Sequence, residues 1–150
     1  KLKETGAPLA GEMSGHIFFK DRWYGFDDGL YTGARLLEIL SSAQDPNATL
    51  NNLPNATCTP ELQMPCAEGE AFTLLEKIKA DAKFPSAESI NTIDGVRVEY
   101  ADGFGLARPS NTTPIVVMRF EADNQAAIER IQNEFKQAFL SIKPEAKLPF

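Results

Sequence analysis

The chain has 150 residues, with 15 Lys or Arg against 21 Asp or Glu, which gives a formal net charge of −6. Apolar residues make up 43% and charged residues 24%, a balance that is typical of a folded protein and excludes a chain disordered throughout. The acidic balance argues against nucleic acid or an anionic membrane as main partner, because both bind basic surfaces. No stretch approaches the roughly 20 apolar residues that a membrane span needs.

The opening segment KLKETGAPLAGE has no initiator Met and no signal-peptide or transit-peptide composition. We expect a fragment or processed piece of a longer cytoplasmic protein. A disulfide between Cys58 and Cys66 is unsupported without a secretory signal, so free thiols are expected. A zinc site needs three or four Cys or His ligands, and His16 is the single histidine. The sequence therefore predicts no metal site.

The first 45 residues predict a strand, a loop, a second strand and a helix. Residues 8–10 and 16–19 are the predicted strands, separated by the glycine-bounded residues 11–15. A helix is predicted to begin at Asp27 or Asp28, either of which would cap it, and to end before Asp45-Pro46. Its apolar residues lie on more than one side, so we expect it to pack against a sheet.

Residues 45–60, DPNATLNNLPNATCTP, have the composition of a linker. We place the hinge at 51–60. Residues 1–50 are too few for a core of their own, so they are expected to be the incomplete C-terminal portion of an α/β domain.

Residues 61–150 are self-contained by pattern. The predicted strands and helices are a strand at 61–64, a helix at 68–82, a hairpin over 90–100, strands from 104 and at 115–120, and a helix at 124–141. The fold class expected is thus mixed: the end of an α/β domain, then an α+β domain with a small antiparallel sheet and two helices packed on one face.

Two loops concentrate side chains that can recognise a ligand. In the GEMSGH loop (residues 11–16), Glu12, Ser14 and His16 could bind vicinal sugar hydroxyls, although a plain surface turn fits the same spacing. In the RPSNTTP loop (residues 108–114), Arg108, Ser110, Asn111 and Thr112 combine a guanidinium with neutral donors suited to phosphate, although these residues are also common in turns.

The two loops, together with the segments DDGLYTGARLLEIL and DGVRVEYADGFGLARPSNTTPIVVMRFEA, resemble the C-terminal part of a bacterial phosphomannomutase/phosphoglucomutase of the α-D-phosphohexomutase superfamily. The resemblance covers nearly the whole chain. It implies a four-domain enzyme in which residues 1–50 end the third, sugar-recognising domain and residues 61–150 form the fourth, phosphate-clamping domain. The activity implied interconverts 1-phospho and 6-phospho hexoses of mannose or glucose through a bisphosphorylated sugar.

The resemblance also implies roles for single residues. Glu12 and Ser14 would hold the 3- and 4-hydroxyls, and His16 would lie near the reacting hydroxyl as a possible catalytic residue. The phosphate would be held by Arg108, Ser110, Asn111 and Thr112. Met13 favours the manno/gluco enzymes, since a Gln there would resemble a phosphoglucosamine mutase.

The family's phosphoserine segment and Asp-Gly-Asp-Gly-Asp magnesium loop are absent from these 150 residues. We therefore expect Mg²⁺ to be bound by the parent enzyme and not by this chain, which alone would be inactive. Expected partners are hexose phosphates, glucose 1,6-bisphosphate and the remaining domains of the parent. The alternatives are a non-catalytic sugar-phosphate binding module and a structural domain with two coincidental loops.

Overall fold

The computed structural model describes residues 2–12 and 14–150. The chain divides into two compact units, Lys1–Pro54 and Asn55–Phe150. In the described part of the chain, no helix is both long and apolar enough to cross a membrane. Both cysteines are free thiols, with Cys58 exposed and Cys66 partly buried.

The described residues of the first unit form a two-stranded sheet and three helices. Its elements are α1 (Leu2–Thr5), β1 (Leu9–Gly11), β2 (Ile17–Phe19), α2 (Gly29–Ser42) and α3 (Pro46–Asn51). The two strands pair antiparallel, with Gly11 opposite Ile17, as the glycine-bounded loop predicts. Helix α2 contacts this sheet through Tyr31, whose ring meets Phe19 edge-on at 5.6 Å between centroids.

Helix α2 begins where one of its two predicted caps stands. Asp28 is the N-cap, and its carboxylate accepts a hydrogen bond from the Tyr31 N–H at 2.9 Å. The second carboxylate oxygen accepts from Trp23 Nε1 at 3.1 Å, and the Trp23 ring stacks on Tyr31 at 4.2 Å. One aspartate therefore ties the helix start to the irregular segment before it.

The first unit has no buried core among its described residues. Leu30 and Leu37, which the helical spacing predicts to pack against a sheet, are 91% and 67% exposed. The two short strands are too small to cover more than one side of α2. Among the described residues, the predicted packing is realised on one side of α2, where Tyr31 and the Arg35 guanidinium both contact the Phe19 ring.

The composition of residues 45–60 predicts an irregular linker, but the structure differs in two places. Residues Pro46–Asn51 form α3, because Asp45 caps the Ala48 N–H at 3.0 Å and Pro46 occupies the first turn, where its missing N–H costs nothing. Within the predicted hinge 51–60, Thr57–Cys58 form a short strand that pairs with a later one. Local helix-start signals and long-range strand pairing both override the composition here.

The second unit is an antiparallel sheet with two helices. Its elements are β3 (Thr57–Cys58), β4 (Leu62–Pro65), α4 (Glu70–Asp81), β5 (Ser89–Asn91), β6 (Val96–Tyr100), β7 (Gly103–Pro109), β8 (Ile115–Ala122) and α5 (Gln125–Ile142). The six-stranded sheet has the order β3-β8-β7-β6-β5, and β4 also pairs with β8. The mixed fold with a small antiparallel sheet and two helices is as predicted.

The core of the second unit lies between the sheet and the two helices. Alternate residues of β6 are buried, and the α5 residues at helical spacing, from Ile128 to Phe139, are buried with them. Phe135 is central: its ring meets Phe120 at 5.2 Å and Phe84 at 5.0 Å. Gly105 lies directly beneath this ring, so a side chain at 105 would collide with Phe135.

Candidate functional site

The GEMSGH loop closes the hairpin of β1 and β2. The Glu12 N–H donates to the His16 carbonyl at 2.9 Å, and the Gly15 N–H donates to the Glu12 carbonyl at 3.0 Å. Gly15 has φ +88°, a left-handed conformation that a glycine adopts without strain. The turn therefore holds Glu12 and His16 side by side at the end of the hairpin.

The side chains of this loop fall into two groups. Ser14 Oγ donates to Glu12 Oε2 at 3.2 Å, so the structure brings these two predicted residues together. His16 instead has its Nδ1 2.6 Å from Oδ2 of Asp27, a residue that the sequence analysis did not single out. All three predicted side chains are exposed, and Met13 lies outside the described residues. The loop thus presents a carboxylate and a hydroxyl, which can accept from and donate to vicinal hydroxyls of a sugar.

The RPSNTTP loop joins β7 to β8, the pair of strands with the longest register in the sheet. The Ser110 N–H donates to the Ile115 carbonyl at 3.0 Å and closes the loop. Ser110 Oγ then accepts from the N–H groups of Thr112 and Thr113, each at 3.3 Å, and from Thr113 Oγ1 at 3.0 Å. The loop is therefore folded around one serine hydroxyl, which brings three of its predicted polar residues, Ser110, Asn111 and Thr112, into one short turn.

A small cavity of about 110 Å³ lies between this turn and the beginning of α4. Residues 110–114 line one side, and Glu68, Gly69, Ala71 and Phe72 line the other. The amino end of a helix carries a partial positive charge, which favours an anion nearby. The sequence did not predict that the beginning of α4 lies beside this turn, because nothing in the spacing of residues 68–72 indicates which loop they face.

Arg108 is on β7 at the edge of the loop and is 39% exposed. Its Nη1 lies 3.7 Å from Oδ2 of Asp94, which is too long for a hydrogen bond. A loose ion pair of this kind leaves the guanidinium fork available for a bidentate contact with a phosphate. Asp94 lies within the predicted hairpin over 90–100, but its pairing with Arg108 was not predicted.

The described residues do not fit a metal centre. Over 2–12 and 14–150, no group of three or more His, Cys, Asp and Glu side chains could hold a metal ion. A separate groove of about 890 Å³ runs along α5, and none of the predicted site residues line it.

Comparison with known proteins supports the assignment of both units. Residues 61–138 match the family described as phosphoglucomutase/phosphomannomutase, C-terminal domain, and residues 1–57 match its alpha/beta/alpha domain III. The chain belongs to the phosphoglucomutase/phosphomannomutase family.

Individual relatives also carry the names of this family. Over 136 residues the chain is 63% identical to a phosphoglucomutase of Neisseria meningitidis, covering 90% of the chain and 30% of that protein. It is 50% identical over 151 residues to a phosphomannomutase/phosphoglucomutase of Pseudomonas putida, covering 100% of the chain and 32% of that protein. A crystal structure of a family protein from Burkholderia thailandensis matches with a TM-score of 0.89 and 66% identity, covering 99% of the chain and 31% of that protein. The chain thus spans about a third of the length of these relatives.

Proposed function

We propose that this chain is the substrate-recognition and phosphate-binding part of a phosphohexomutase, an isomerase that interconverts 1-phospho and 6-phospho hexoses of mannose or glucose through a bisphosphorylated sugar. The observation that carries the proposal is the RPSNTTP loop, where Arg108 stands beside a turn of hydroxyl and amide donors around a small cavity. The relatives named phosphomannomutase/phosphoglucomutase support the reaction class.

In this proposal the phosphate that is not reacting is held by the RPSNTTP loop. Arg108 supplies a charged bidentate contact, and Ser110, Asn111 and Thr112 supply neutral donors. A fixed grip on one phosphate lets either end of a hexose bisphosphate occupy the reaction centre in turn. Catalysis of phosphoryl transfer depends mainly on such positioning and on electrostatic stabilisation.

In this proposal the GEMSGH loop binds the hydroxyl groups of the sugar. The Glu12 carboxylate and the Ser14 hydroxyl, already joined at 3.2 Å, accept from and donate to the 3- and 4-hydroxyls. His16 approaches the reacting hydroxyl. The phosphoserine, the Mg²⁺ and the remaining domains belong to the longer parent protein, which acts in the cytoplasm, and the 150-residue chain alone turns over no substrate.

The test is a titration of the chain with glucose 1,6-bisphosphate, followed by backbone amide NMR. Shifts concentrated at residues 108–113 and reversed by inorganic phosphate are expected. Arg108→Ala removes a charge-assisted contact of about 1.5–3 kcal/mol, so the Kd for the bisphosphate should rise about tenfold or more. Arg108→Lys keeps the positive charge but loses the two-pronged guanidinium, so its Kd should lie between those of the unchanged chain and of Arg108→Ala.

The matched control is Arg130→Ala, which removes the same charge from α5, where Arg130 pairs with Asp102. Its Kd should equal that of the unchanged chain. Equal affinities for Arg108→Ala and the unchanged chain would contradict the phosphate assignment. Hexose-phosphate turnover by the 150-residue chain would contradict the proposal that catalysis requires the remaining domains of the parent protein.

A further inference from the structure

Among the described residues of the GEMSGH loop, the shortest polar contact is that of His16 with Asp27. His16 Nδ1 and Asp27 Oδ2 are 2.6 Å apart, which is the short end of the range for a hydrogen bond to a carboxylate. The two residues are eleven positions apart, and both side chains are about half exposed, at 55% and 45%. A pair this short in the open needs a scaffold that holds both partners in place.

Backbone pairing holds the two partners. His16 directly precedes β2, and Asp27 forms an isolated antiparallel bridge with Phe18 in that strand. Asp27 also directly precedes Asp28, the residue that caps α2 and accepts from Trp23 Nε1. The Asp27 carboxylate is therefore positioned between a strand and a capped helix start.

The segment between the two partners is also tied to α2. Arg22 donates to both carboxylate oxygens of Glu38, at 2.9 and 2.7 Å. Bidentate pairs fix geometry as well as charge. The chain from His16 to Asp27 is therefore anchored at its middle as well as at its ends.

An ionised carboxylate accepts hydrogen bonds but cannot donate one, so His16 Nδ1 must carry a proton when it bonds to Asp27. In a neutral imidazole the other nitrogen, Nε2, is then an unprotonated acceptor. The hydrogen bond made by one ring nitrogen thus decides what the other can do. Here it makes Nε2 an acceptor, which is the role that an approaching hydroxyl requires.

We propose that Asp27 is a positioning residue that fixes His16 as the Nδ1–H tautomer, so that Nε2 accepts a hydrogen bond from a hydroxyl of the bound sugar. This inference rests on the proposed function for the identity of the ligand. Glu12, whose N–H is bonded to the His16 carbonyl at 2.9 Å, supplies a second acceptor on the same turn. Two acceptors on one turn select a ligand with two hydroxyl donors.

The test is NMR of the imidazole nitrogens in the chain labelled at histidine. Because His16 is the single histidine, its two nitrogens give an unambiguous signal pair. At a pH where the ring is neutral, the spectrum should show Nδ1 protonated and Nε2 bare. Free histidine prefers the opposite tautomer, so a spectrum with Nε2 protonated, whatever its cause, overturns the proposal.

In the Asp27→Asn variant we expect the opposite tautomer, with the proton on Nε2, because a side-chain amide can donate a hydrogen bond to Nδ1. Asp27→Glu keeps the carboxylate and should keep the Nδ1–H tautomer. Asp45→Asn is the matched control: it removes the same charge from the first unit but preserves the α3 cap, since Asn caps as well as Asp. An Asp27→Asn spectrum identical to that of the unchanged chain overturns the proposal.

Addition of glucose 1-phosphate, which keeps a free 6-hydroxyl, separates this inference from the proposed function. A change in the chemical shift of Nε2 on addition of the ligand, absent in the Asp27→Asn variant, supports both this inference and the proposed function. If the added ligand causes no amide shifts at residues 108–113 but the Nδ1–H signal is intact, the proposed function is contradicted. The role of Asp27 in fixing the tautomer then still stands.

In the proposed function His16 lies at the reacting hydroxyl, whose proton Nε2 can take only when Nε2 is unprotonated. In the parent enzyme, Asp27→Asn should therefore lower kcat about a hundredfold with little change in KM, and Asp27→Glu should restore most of the kcat. A raised KM with unchanged kcat overturns the positioning role.

Discussion

Gly95 lies against the backbone of Arg108, so that a Cβ added to Gly95 would stand 2.6 Å from the Arg108 Cα. Gly95 also has φ +74°, the left-handed conformation that disfavours any side chain. Glycine is therefore required at position 95 for two reasons, its own backbone conformation and the close approach of Arg108. The turn before β6 thus fixes the base of the arginine that we propose to hold phosphate.

Gly95→Ala is predicted to destabilise the second unit. The left-handed conformation costs about 1–2 kcal/mol for a residue with a Cβ, and the collision with the Ala107 carbonyl oxygen and with Arg108 should add about 1–3 kcal/mol. Urea unfolding monitored by circular dichroism measures the loss. The bisphosphate titration should show weaker binding as well, because Arg108 must move.

The matched control is Gly69→Ala. Gly69 has φ +73°, almost the same backbone strain, but a Cβ there meets nothing within 4 Å. Its loss of unfolding free energy should therefore be limited to the conformational cost. Equal losses for Gly69→Ala and Gly95→Ala would show that the contact with Arg108 is unimportant.

Asn124→Ala is predicted to lower the stability of the second unit by about 1 kcal/mol. Asn124 caps α5, and its side chain accepts from the Ala127 N–H at 3.0 Å. Asn124→Asp keeps the acceptor and adds a charge that suits a helix start, so its unfolding midpoint should equal or exceed that of the unchanged chain. Loss of stability by both variants alike would contradict the capping role.

A pH-dependent contribution to stability is predicted for Glu70. The Lys143 ammonium, which donates to Glu70 Oε1, holds the pKa of this carboxyl below its ordinary value, helped by the Ala67 N–H. A lowered pKa means that folding favours the ionised form. The stabilisation is thus present above the pKa of an unfolded Glu and is lost as the pH falls toward the folded value.

The measurement compares unfolding midpoints of the unchanged chain and Glu70→Gln between about pH 6 and pH 3. The unchanged chain should be the more stable at the upper end, and the difference should shrink toward the lower end. Glu68→Gln removes a charge from the same region and serves as the control. A difference that stays constant with pH would argue against the ion pair with Lys143.

Amide hydrogen exchange should be faster throughout the first unit than in the second. No described residue of the first unit is buried, whereas α5 buries six of its residues. Protection from exchange follows the free energy of local opening, which buried apolar contacts raise. Exchange measured by mass spectrometry on peptides of α2 and α5 gives the comparison. Equal protection of the two helices would contradict it.

The predictability of each feature follows the range of the interactions that form it. Helix α5 follows from Ile128, Ile131 and Phe135, whose spacing is a local property of the chain. Helix α3 was missed because Pro46 and its neighbouring asparagines were weighed as composition, although Asp45 followed by proline is itself a helix-start signal.

The site residues show the same division. The register that pairs Val96 with Ala107 and sets Gly95 opposite Arg108 is seen only in the structure, whereas the hairpin over 90–100 that precedes it could be predicted. The contact of His16 with Asp27 could not, since it crosses an irregular segment whose path depends on Arg22 and its bond to Glu38. No periodicity encodes such a path.

The RPSNTTP loop is also the connection of the β7–β8 hairpin, and β8 shares ladders with β3 and β4 as well. The hairpin closes a short stretch of chain, whereas pairing of Thr57 with Ala122 must close a long one. Short closures cost less entropy, so we expect the hairpin to form before the remaining strands join it. Substitutions in the RPSNTTP loop are then expected to slow refolding more than they speed unfolding, so the residues that we propose to hold phosphate would also set how fast the second unit folds.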